Sequence, residues 1–224
     1  MDFAVFLGDE KTLIYKRGQG IVLNEPTVAA VAKDKVIAVG KTVSKYRDQD
    51  GVDFVTPIKS GRVTDTDIAA KLISQLLGKV RGSVVRAGGR YLFCIPSSLT
   101  AADLNDYKTA IYTAGVADAE FVPAVITNAI GMGYNPIDKI PVMSITAEGK
   151  TVDIAIIRQC EIIAGGTLYD PRDLEDAKKQ IYASLGPDAG PLSDILHGGR
   201  ISIITGAGKL LDNELVIKKI VMSN

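Results

Sequence analysis

The sequence is poor in the residues from which many functional sites are built. Its 224 residues include one histidine, two cysteines and no tryptophan, and the formal net charge is zero. The single histidine, His197, and the two distant cysteines show no spacing typical of a metal site. A balanced charge provides no basic surface for nucleic acid and no polybasic signal for an anionic membrane. We therefore predict neither a metal site nor a nucleic-acid partner, and we interpret His197 as a surface residue in a loop.

Long hydrophobic runs are also missing. No segment approaches the roughly 18 apolar residues that a membrane-spanning helix requires. The N-terminal stretch MDFAVFLGDE lacks the basic region and the long apolar core of a signal peptide. No amphipathic helix precedes Phe3, so a membrane anchor at this end is not expected. These absences predict a cytoplasmic protein.

The two cysteines, Cys94 and Cys160, both lie in apolar runs that are typical of strands, YLFCI and IIRQCEII. A cysteine in such a run usually behaves as a small buried hydrophobic residue. We therefore predict two buried free thiols, with a disulfide between them as the alternative.

The proportions of hydrophobic and charged residues indicate a globular core. The chain is 46% hydrophobic and 23% charged, which is ordinary for a soluble globular protein and can build a sizeable core. In the first half, β-branched and apolar runs predict strands, and capping residues before apolar stripes predict helices. The predicted strands are Phe3–Leu7, Thr12–Tyr15, Ile21–Leu23, Val28–Val31, Val36–Val39, Tyr91–Ile95 and Ala119–Val122, with Val84–Val85 as a short strand or loop edge. The predicted helices begin at Thr64 (with Asp67), at Thr100 (with Asp103) and at Pro123.

After Gly133 the pattern restarts. Strands are predicted at Val142–Ile145, Val152–Ile157 and Glu161–Ala164, and a helix is predicted from Asp170-Pro171 to Gly186. The stretch Gly186–Gly199 is rich in Gly, Pro and Asp and predicts a loop with at most one helical turn. A strand is predicted at Ile201–Ile204, followed by a final helix or strand.

Two strand–turn–strand units share a motif. GDEKTLIY begins at Gly8 and AEGKTVDI begins at Ala147, and both contain Lys-Thr followed by alternating apolar residues. Such internal similarity predicts two related hairpins. Facing each other, they would form a cleft with one lysine, Lys11 or Lys150, at each tip.

A series of further segments follows a recognisable order. They read GQGIVLNEPTVAAV from Gly18, VIAVG from Val36, PIKSGRVTDTD from Pro57, IPSSLTAADLNDYKTAIYTAGV from Ile95, VPAVITNAIGMG from Val122, DIAIIRQCEII from Asp153 and ITGAGKLL from Ile204. In this order they resemble the MreB family of bacterial actin homologues, part of the actin/Hsp70 ATPase superfamily.

The resemblance implies an actin-like, ribonuclease H-like α/β fold, with two lobes of mixed sheet and helices around a nucleotide cleft. We place the first lobe in residues 1–135 and a reduced second lobe in residues 136–224. Between Gly165 and Ile201 the sequence predicts one helix and a loop, where the family has a whole subdomain. The upper subdomain of the second lobe is therefore expected to be missing or much reduced.

The acidic positions of the family's ATPase site are not acidic here. The family's first hairpin begins with an aspartate that helps to hold Mg²⁺, and Phe6 stands at that place. The aspartate of the second hairpin is replaced by Ser144 or Thr146, depending on the alignment, and the glutamate that polarises water is replaced by Val122. None of these side chains is a carboxylate ligand or a general base. The resemblance therefore predicts that hydrolysis by the family mechanism is lost.

Binding without hydrolysis is a separate question. If ATP binds, the resemblance implies contacts from Gly8, Lys11 and Thr12, from Gly149, Lys150 and Thr151, and from the adenosine motif at Gly206 and Gly208. The alternative is that the lysines are solvated turn residues and the glycines serve the turns. Asp9, Glu10 and Glu148 favour this alternative, because they add negative charge where phosphates would lie. We predict no catalytic residue, no metal and no cofactor, with ATP and Mg²⁺ as the alternative.

Three functions are compatible with these observations. The first is an actin-like structural protein, a filament subunit or scaffold that has lost ATP hydrolysis and acts through protein partners or self-association. The second is an active MreB-like cytoskeletal ATPase involved in cell shape. In that case Asp65, which matches a family aspartate, would be required, although a charge in the first turn of a helix is the simpler interpretation. The third is a nucleotide or small-ligand sensor without turnover that uses Lys11 and Lys150.

Overall fold

The computed structural model describes residues 1–81, 89–169, 171–186 and 190–223. Within these ranges the strands are β1 (Phe3–Leu7), β2 (Lys11–Lys16), β3 (Gly20–Pro26), β4 (Ala29–Ala32), β5 (Lys35–Val39), β6 (Asp53–Val55), β7 (Ile58–Lys59), β8 (Arg62–Val63), β9 (Arg90–Ile95), β10 (Asp118–Pro123), β11 (Val142–Glu148), β12 (Thr151–Arg158), β13 (Glu161–Leu168) and β14 (Ile195–Gly198). The helices are α1 (Thr66–Arg81), α2 (Ala101–Thr113), α3 (Ala124–Gly131), α4 (Leu174–Ala183), α5 (Arg200–Leu210) and α6 (Glu214–Ser223), with 3₁₀ turns at Gly40–Tyr46 and Pro171–Asp173.

The first large sheet has five strands in the order β10-β9-β1-β2-β3. Strand β1 pairs in parallel with β9 and antiparallel with β2, so the sheet is mixed. Successive side chains of a strand point to opposite faces, and β1 shows this clearly. Phe3, Val5 and Leu7 pack with helices α1 and α2, whereas Ala4 and Phe6 face the centre of the molecule. Two small sheets, β5-β4-β6 and β7-β8, complete this half.

The second large sheet has four strands in the order β13-β12-β11-β14. Helix α4 covers one of its faces, and the other face turns toward the centre. Between β13 and β14 the described residues contain only a 3₁₀ turn, α4 and their connections. This agrees with the expectation of a much reduced second half.

Helices α3 and α5 lie between the two sheets and form the central core. Helix α3 follows β10 of the first sheet but packs mainly on β11 of the second, while α5 follows β14 and packs on β1 and β2 of the first. The helices thus cross between the halves. Their buried apolar side chains join one face of each sheet into a single cluster, so the core holds the two halves together.

A pair of glycines allows α3 and α5 to come very close. A Cβ atom at Gly131 would collide with the carbonyl oxygen of Ser202, and one at Gly206 would collide with that of Thr127. Thr127 lies four residues before Gly131, and Ser202 lies four residues before Gly206. The contact is therefore reciprocal, as in an isologous interface. It relates α3 and α5 as equivalent helices of the two halves.

A polar network supports the same contact. Asn128 of α3 is fully buried; its Nδ2 donates to Ser144 Oγ of β11 at 2.9 Å, and its Oδ1 accepts from Ser202 Oγ of α5. Ser144 Oγ in turn donates to the carbonyl oxygen of Val125 at 2.7 Å. Buried polar groups of this kind fix one arrangement because each must keep its partner.

Asp153 of β12 ties the second sheet to the first. One carboxylate oxygen accepts from the backbone N–H of Ser97, which follows β9, at 3.2 Å, and the other accepts from the Thr167 hydroxyl of β13. The side chain is buried. Burial raises the pKa of the Asp153 carboxyl above its ordinary value, and the two hydrogen bonds act in the opposite direction.

Most predicted elements are present, including the two hairpins and the capping box of α2, in which Thr100 and Asp103 satisfy each other's backbone N–H groups. The predicted capping residue of α1 is wrong. The Asp65 side chain, rather than that of Thr64, accepts from the Ile68 N–H at 2.8 Å. Val84–Val85 lies outside the described residues. Cys94 and Cys160 are both buried and form no disulfide, as predicted, and burial raises the pKa of Cys94 to about 12.

The predicted strand at Ile201–Ile204 is wrong, because these residues belong to helix α5. A short apolar run fits either structure, and here Ile203, Ile204, Ala207 and Leu210 form a buried helical stripe. The strand lies earlier, at β14, within the predicted loop Gly186–Gly199. His197 is therefore in a strand rather than a loop, although it is exposed as predicted.

Among the described residues, no helix is both long and apolar enough to cross a bilayer. The boundary between lobes at residue 135 stays a prediction.

The close approach of α3 and α5 predicts opposite effects for two helical glycines. Gly206→Ala is expected to lower the free energy of unfolding by about 1–3 kcal/mol, because a Cβ there overlaps backbone atoms. Gly78→Ala in α1, where no atom lies within 4 Å of the new Cβ, is expected to raise it by about 0.5–1 kcal/mol. Urea unfolding of both variants tests this. Equal stability of the two variants would contradict the proposed contact.

The raised pKa of Asp153 predicts a pH-dependent effect of Asp153→Asn. A carboxyl whose pKa is higher in the folded state stabilises the fold at low pH, and this contribution is lost as pH rises through the folded pKa. Asparagine does not titrate. The Tm of the variant relative to the wild type is therefore expected to increase from pH 4 to pH 7, as measured by thermal unfolding across that range. A difference in Tm that does not change with pH would show that the pKa of Asp153 is not raised in the folded protein.

Candidate functional site

The tips of the two related hairpins meet between the sheets. One turn joins β1 to β2 and the other joins β11 to β12. The Glu10 N–H donates a hydrogen bond to Glu148 Oε1 at 3.3 Å. On the other side, Asp9 Oδ2 lies 3.6 Å from the place that a Cβ on Gly149 would occupy. The hairpins predicted from the sequence repeat therefore face each other and are in direct contact.

Glu148 occupies the centre of this contact. Its side chain is only 17% exposed. Its Oε1 lies so close to Gly8 that a Cβ there would approach it to 2.6 Å. Arg200, the first residue of α5, lies 3.7 Å from Glu148 Oε1 and 3.3 Å from Glu10 Oε2. Burial raises the pKa of the Glu148 carboxyl, against the opposing effects of the Glu10 N–H and Arg200.

Asp9 is also held by backbone groups of its own half. Its two oxygens accept from the N–H of Ser60 at 2.7 Å and from the N–H of Gly61 at 2.8 Å. Both donors lie in the turn between β7 and β8. A carboxylate that accepts two backbone N–H groups is strongly fixed. The acidic side chains of the hairpin tips thus occupy N–H groups that an external anion would need.

The space left between the hairpins is small. The cavity has a volume of about 40 Å³, which accommodates only a few water molecules. Pockets that hold nucleotide-sized ligands usually measure roughly 300–1,000 Å³. Its walls are Phe6, Leu7, Gly8, Asp9, Gly61, Pro96, Ala124, Thr146, Glu148, Thr151, Asp153 and Ile203. In this conformation a triphosphate does not fit between the tips.

The positions that are acidic in the ATPases belong to the apolar core or to its polar network. Phe6 borders the cavity and packs with Val122, which has no exposed surface, in the central cluster. Ser144 is bonded to Asn128, as described above, and Thr146 is buried at the cavity wall. Among the described residues, no group of three or more His, Cys, Asp or Glu side chains could hold a metal ion. The side chains at these four positions therefore offer Mg²⁺ no carboxylate oxygen.

Only some of the other predicted hairpin residues border the cavity. Thr12 is buried, and its hydroxyl lies 2.9 Å from that of Thr27, away from the cavity. Thr151 borders the cavity, and its hydroxyl has no hydrogen-bond partner among the described residues. Lys150 is exposed and Lys11 is partly exposed, and neither borders the cavity. Gly8 and Thr151 are thus the predicted residues that the structure brings to the cavity.

Gly206 and Gly208 do not form an adenosine-binding turn. Both lie inside helix α5, where Gly206 contacts α3 and Gly208 contacts the ring of Tyr15. Protein atoms fill the space in which a Cβ would stand, so these glycines serve helix packing. We do not include them in the candidate site.

Sequence reasoning missed Arg200. It lies at the start of α5, next to the cleft, but the segment was predicted to be a strand. A glycine pair, Gly198-Gly199, directly precedes it and marks the start of this helix in the sequence. A second pocket, about 510 Å³ in volume, opens beside Arg200 and the second hairpin, and Glu10, Glu148, Gly149 and Ser202 are among its lining residues.

Comparisons with known proteins agree with the resemblance. A family model described as "MreB/Mbl protein" matches residues 1–168. The cell shape-determining protein MreB of Escherichia coli strain K12 is 29% identical over 199 residues, which is 82% of this chain and 57% of that protein. The cell shape-determining protein Mbl of Bacillus subtilis strain 168 is 28% identical over 171 residues, which is 75% of this chain and 51% of that protein.

Solved structures show the same fold. MreB5 of Spiroplasma citri bound to ADP has a TM-score of 0.64 at 23% identity, and the match covers 81% of this chain and 56% of that one. MreB5 bound to AMPPNP has a TM-score of 0.67 with the same coverage. The chain spans about half the length of the curated relatives it matches. The fold is actin-like, as predicted, and the chain belongs to the MreB/Mbl family.

Proposed function

We propose that this chain is an MreB-like structural protein, a filament subunit or scaffold that works without hydrolysing ATP. One observation carries the proposal: the hairpin tips that would bind phosphate contact each other, and about 40 Å³ remains between them. The relatives named cell shape-determining proteins support a role in cell shape for this chain. A cytoplasmic location and association with protein partners or with further copies of the chain belong to the same proposal.

The chemistry of the cleft supports the loss of hydrolysis. Phosphoryl transfer in ATPases depends on metal-held phosphates and on a group that positions the attacking water. Phe6 and Val122 lie in the apolar core and supply neither function. The carboxylates of Glu148 and Asp9 add charge of the wrong sign beside a phosphate. At about 4 Å, two like charges repel by about 4 kcal/mol at an effective dielectric constant of about 20.

A second candidate is an ATP-binding protein that resembles its nucleotide-bound relatives. The MreB5 structures with ADP and AMPPNP favour it, since they share the fold. In this case the hairpins would have to separate on binding. The third candidate, a sensor without turnover, would use Lys11 and Lys150, of which the first is partly exposed and the second exposed.

A titration with ATP and ADP, with and without Mg²⁺, distinguishes these candidates. We expect no saturable, Mg²⁺-dependent binding up to millimolar nucleotide, because only about 40 Å³ remains between the hairpin tips and Phe6 and Val122 offer the metal no oxygen ligand. Calorimetry measures binding and a phosphate-release assay measures turnover. Lys11→Ala and Lys150→Ala serve as controls, since weak binding that disappears in either variant would indicate the sensor.

Assembly provides the second measurement in the same experiment. Sedimentation and electron microscopy are expected to give the same assemblies with and without nucleotide. Tight Mg²⁺-dependent binding with phosphate release, or filaments that form only with ATP, would contradict the proposal and favour the ATPase.

Asp65 provides a test at a single residue. Its carboxylate caps α1, so Asp65→Ala is expected to reduce the free energy of unfolding by about 1 kcal/mol. Asp65→Asn, which can also cap, is expected to remain close to the wild type. Phosphate release should stay at the background level in all three proteins. Wild-type turnover that Asp65→Ala abolishes would show that this residue acts in hydrolysis.

A further inference from the structure

The Glu148 carboxylate is bound in the way that a ligand anion is bound. It accepts from a backbone N–H at the tip of the opposite hairpin, that of Glu10 at 3.3 Å, and it lies 3.7 Å from the Arg200 guanidinium. Backbone N–H groups at turns and a guanidinium are typical ligands of phosphate oxygens. Gly8 provides the open space over the turn, because any larger residue would collide with this carboxylate.

The position of Arg200 adds to this arrangement. It is the first residue of α5, where the helix dipole contributes partial positive charge. Its guanidinium contacts Glu148 of the second half and Glu10 of the first. One cation therefore joins carboxylates from both hairpin tips. Removing the Glu148 carboxylate would leave the Glu10 N–H without its acceptor and Arg200 with one carboxylate partner instead of two, so an anion from solution could take the vacated position.

We propose that Glu148 is an internal anion that occupies a phosphate-binding position and keeps the two hairpins together without a ligand. The proposal deepens the proposed function, on which it rests, because it names what holds the cleft closed. It also explains why the cleft excludes phosphates. An incoming phosphate must displace a carboxylate that is attached to the chain and is therefore always present at high effective concentration.

Opposing electrostatic effects act on the Glu148 carboxyl. Burial is the largest effect that raises the pKa of Glu148, and the neighbouring carboxylates of Glu10 and Asp9 raise it further. The Glu10 N–H and Arg200 lower it. The net effect raises the pKa, so the surroundings as a whole disfavour the charged form, and the Glu10 N–H and Arg200 are the groups that stabilise it. Another anion of suitable shape can use the same donors.

The experiment compares thermal unfolding in inorganic phosphate and in chloride at equal pH and ionic strength. In Glu148→Ala, phosphate is expected to raise the Tm by about 3–6 °C at ten times its Kd, and the Tm should continue to rise with the logarithm of the phosphate concentration, as for a single site. The wild type is expected to show no phosphate-specific shift. Pyrophosphate, used as a second probe, should act at lower concentration, since it carries more charge.

Two controls make the result specific. Glu161→Ala removes an exposed glutamate at the start of β13 and gives the same change in net charge, so it should behave like the wild type. Arg200→Gln combined with Glu148→Ala should abolish the phosphate response. If Glu148→Ala does not fold, Glu148→Ser provides a second variant with a short side chain, for which the same phosphate response is expected.

The outcomes are distinct from those of the nucleotide titration. An equal phosphate response in the wild type, Glu148→Ala and Glu161→Ala would indicate a general salt effect and would overturn the proposal. So would the absence of any response in both Glu148 variants. Mg²⁺-dependent ATP turnover by the wild type would instead overturn the proposed function. ATP turnover by the wild type thus tests the proposed function, and the phosphate response of the Glu148 variants tests the proposal that Glu148 is an internal anion.

Discussion

The close contact between α3 and α5 determines where the other parts of the molecule lie. In each helix a glycine lets the backbone of the partner helix come to a distance that a Cβ would prevent. Helix α3 follows the edge strand of the first sheet, and α5 follows the edge strand of the second. The contact between them therefore sets the spacing of the two sheets. The hairpins β1–β2 and β11–β12 extend from those sheets toward each other, so helix packing brings their tips together without help from a ligand.

Hairpin tips at such short range must satisfy their polar groups in some way. A phosphate-binding hairpin meets this need with its ligand. Here the chain supplies its own acceptors, since Asp9 bonds to the turn at Ser60 and Gly61, and Glu148 bonds to Glu10. Arg200 compensates part of the added negative charge. The same backbone shape can therefore be stable in the absence of a nucleotide, because its donors are occupied from within.

The sequence predicts the features that depend on nearby residues. The hairpins and the Thr100–Asp103 capping box follow from short patterns, and their partners lie a few positions away. The sequence predicts a strand at Ile201–Ile204, where the structure has helix α5. A short apolar run fits a strand or a helix equally well, and the packing of Gly206 against α3 favours the helix. The role of Glu148 could not be predicted, since its partner Glu10 is 138 positions away. The resemblance identified Phe6 and Val122 as replacements, but it did not show that both pack in one core.

The replacement of acids by apolar residues and the closure of the cleft are two aspects of one change. A carboxylate at Phe6 would lie in the same central cluster as Val122, where an unpaired charge costs several kcal/mol unless a metal ion or another partner compensates it. A phenyl ring instead contributes buried apolar area that stabilises the contact between the halves. Under the proposed function, closure does not require bound nucleotide, because the core holds the halves together. Assembly of such a protein would then be controlled by its concentration and its partners rather than by ATP.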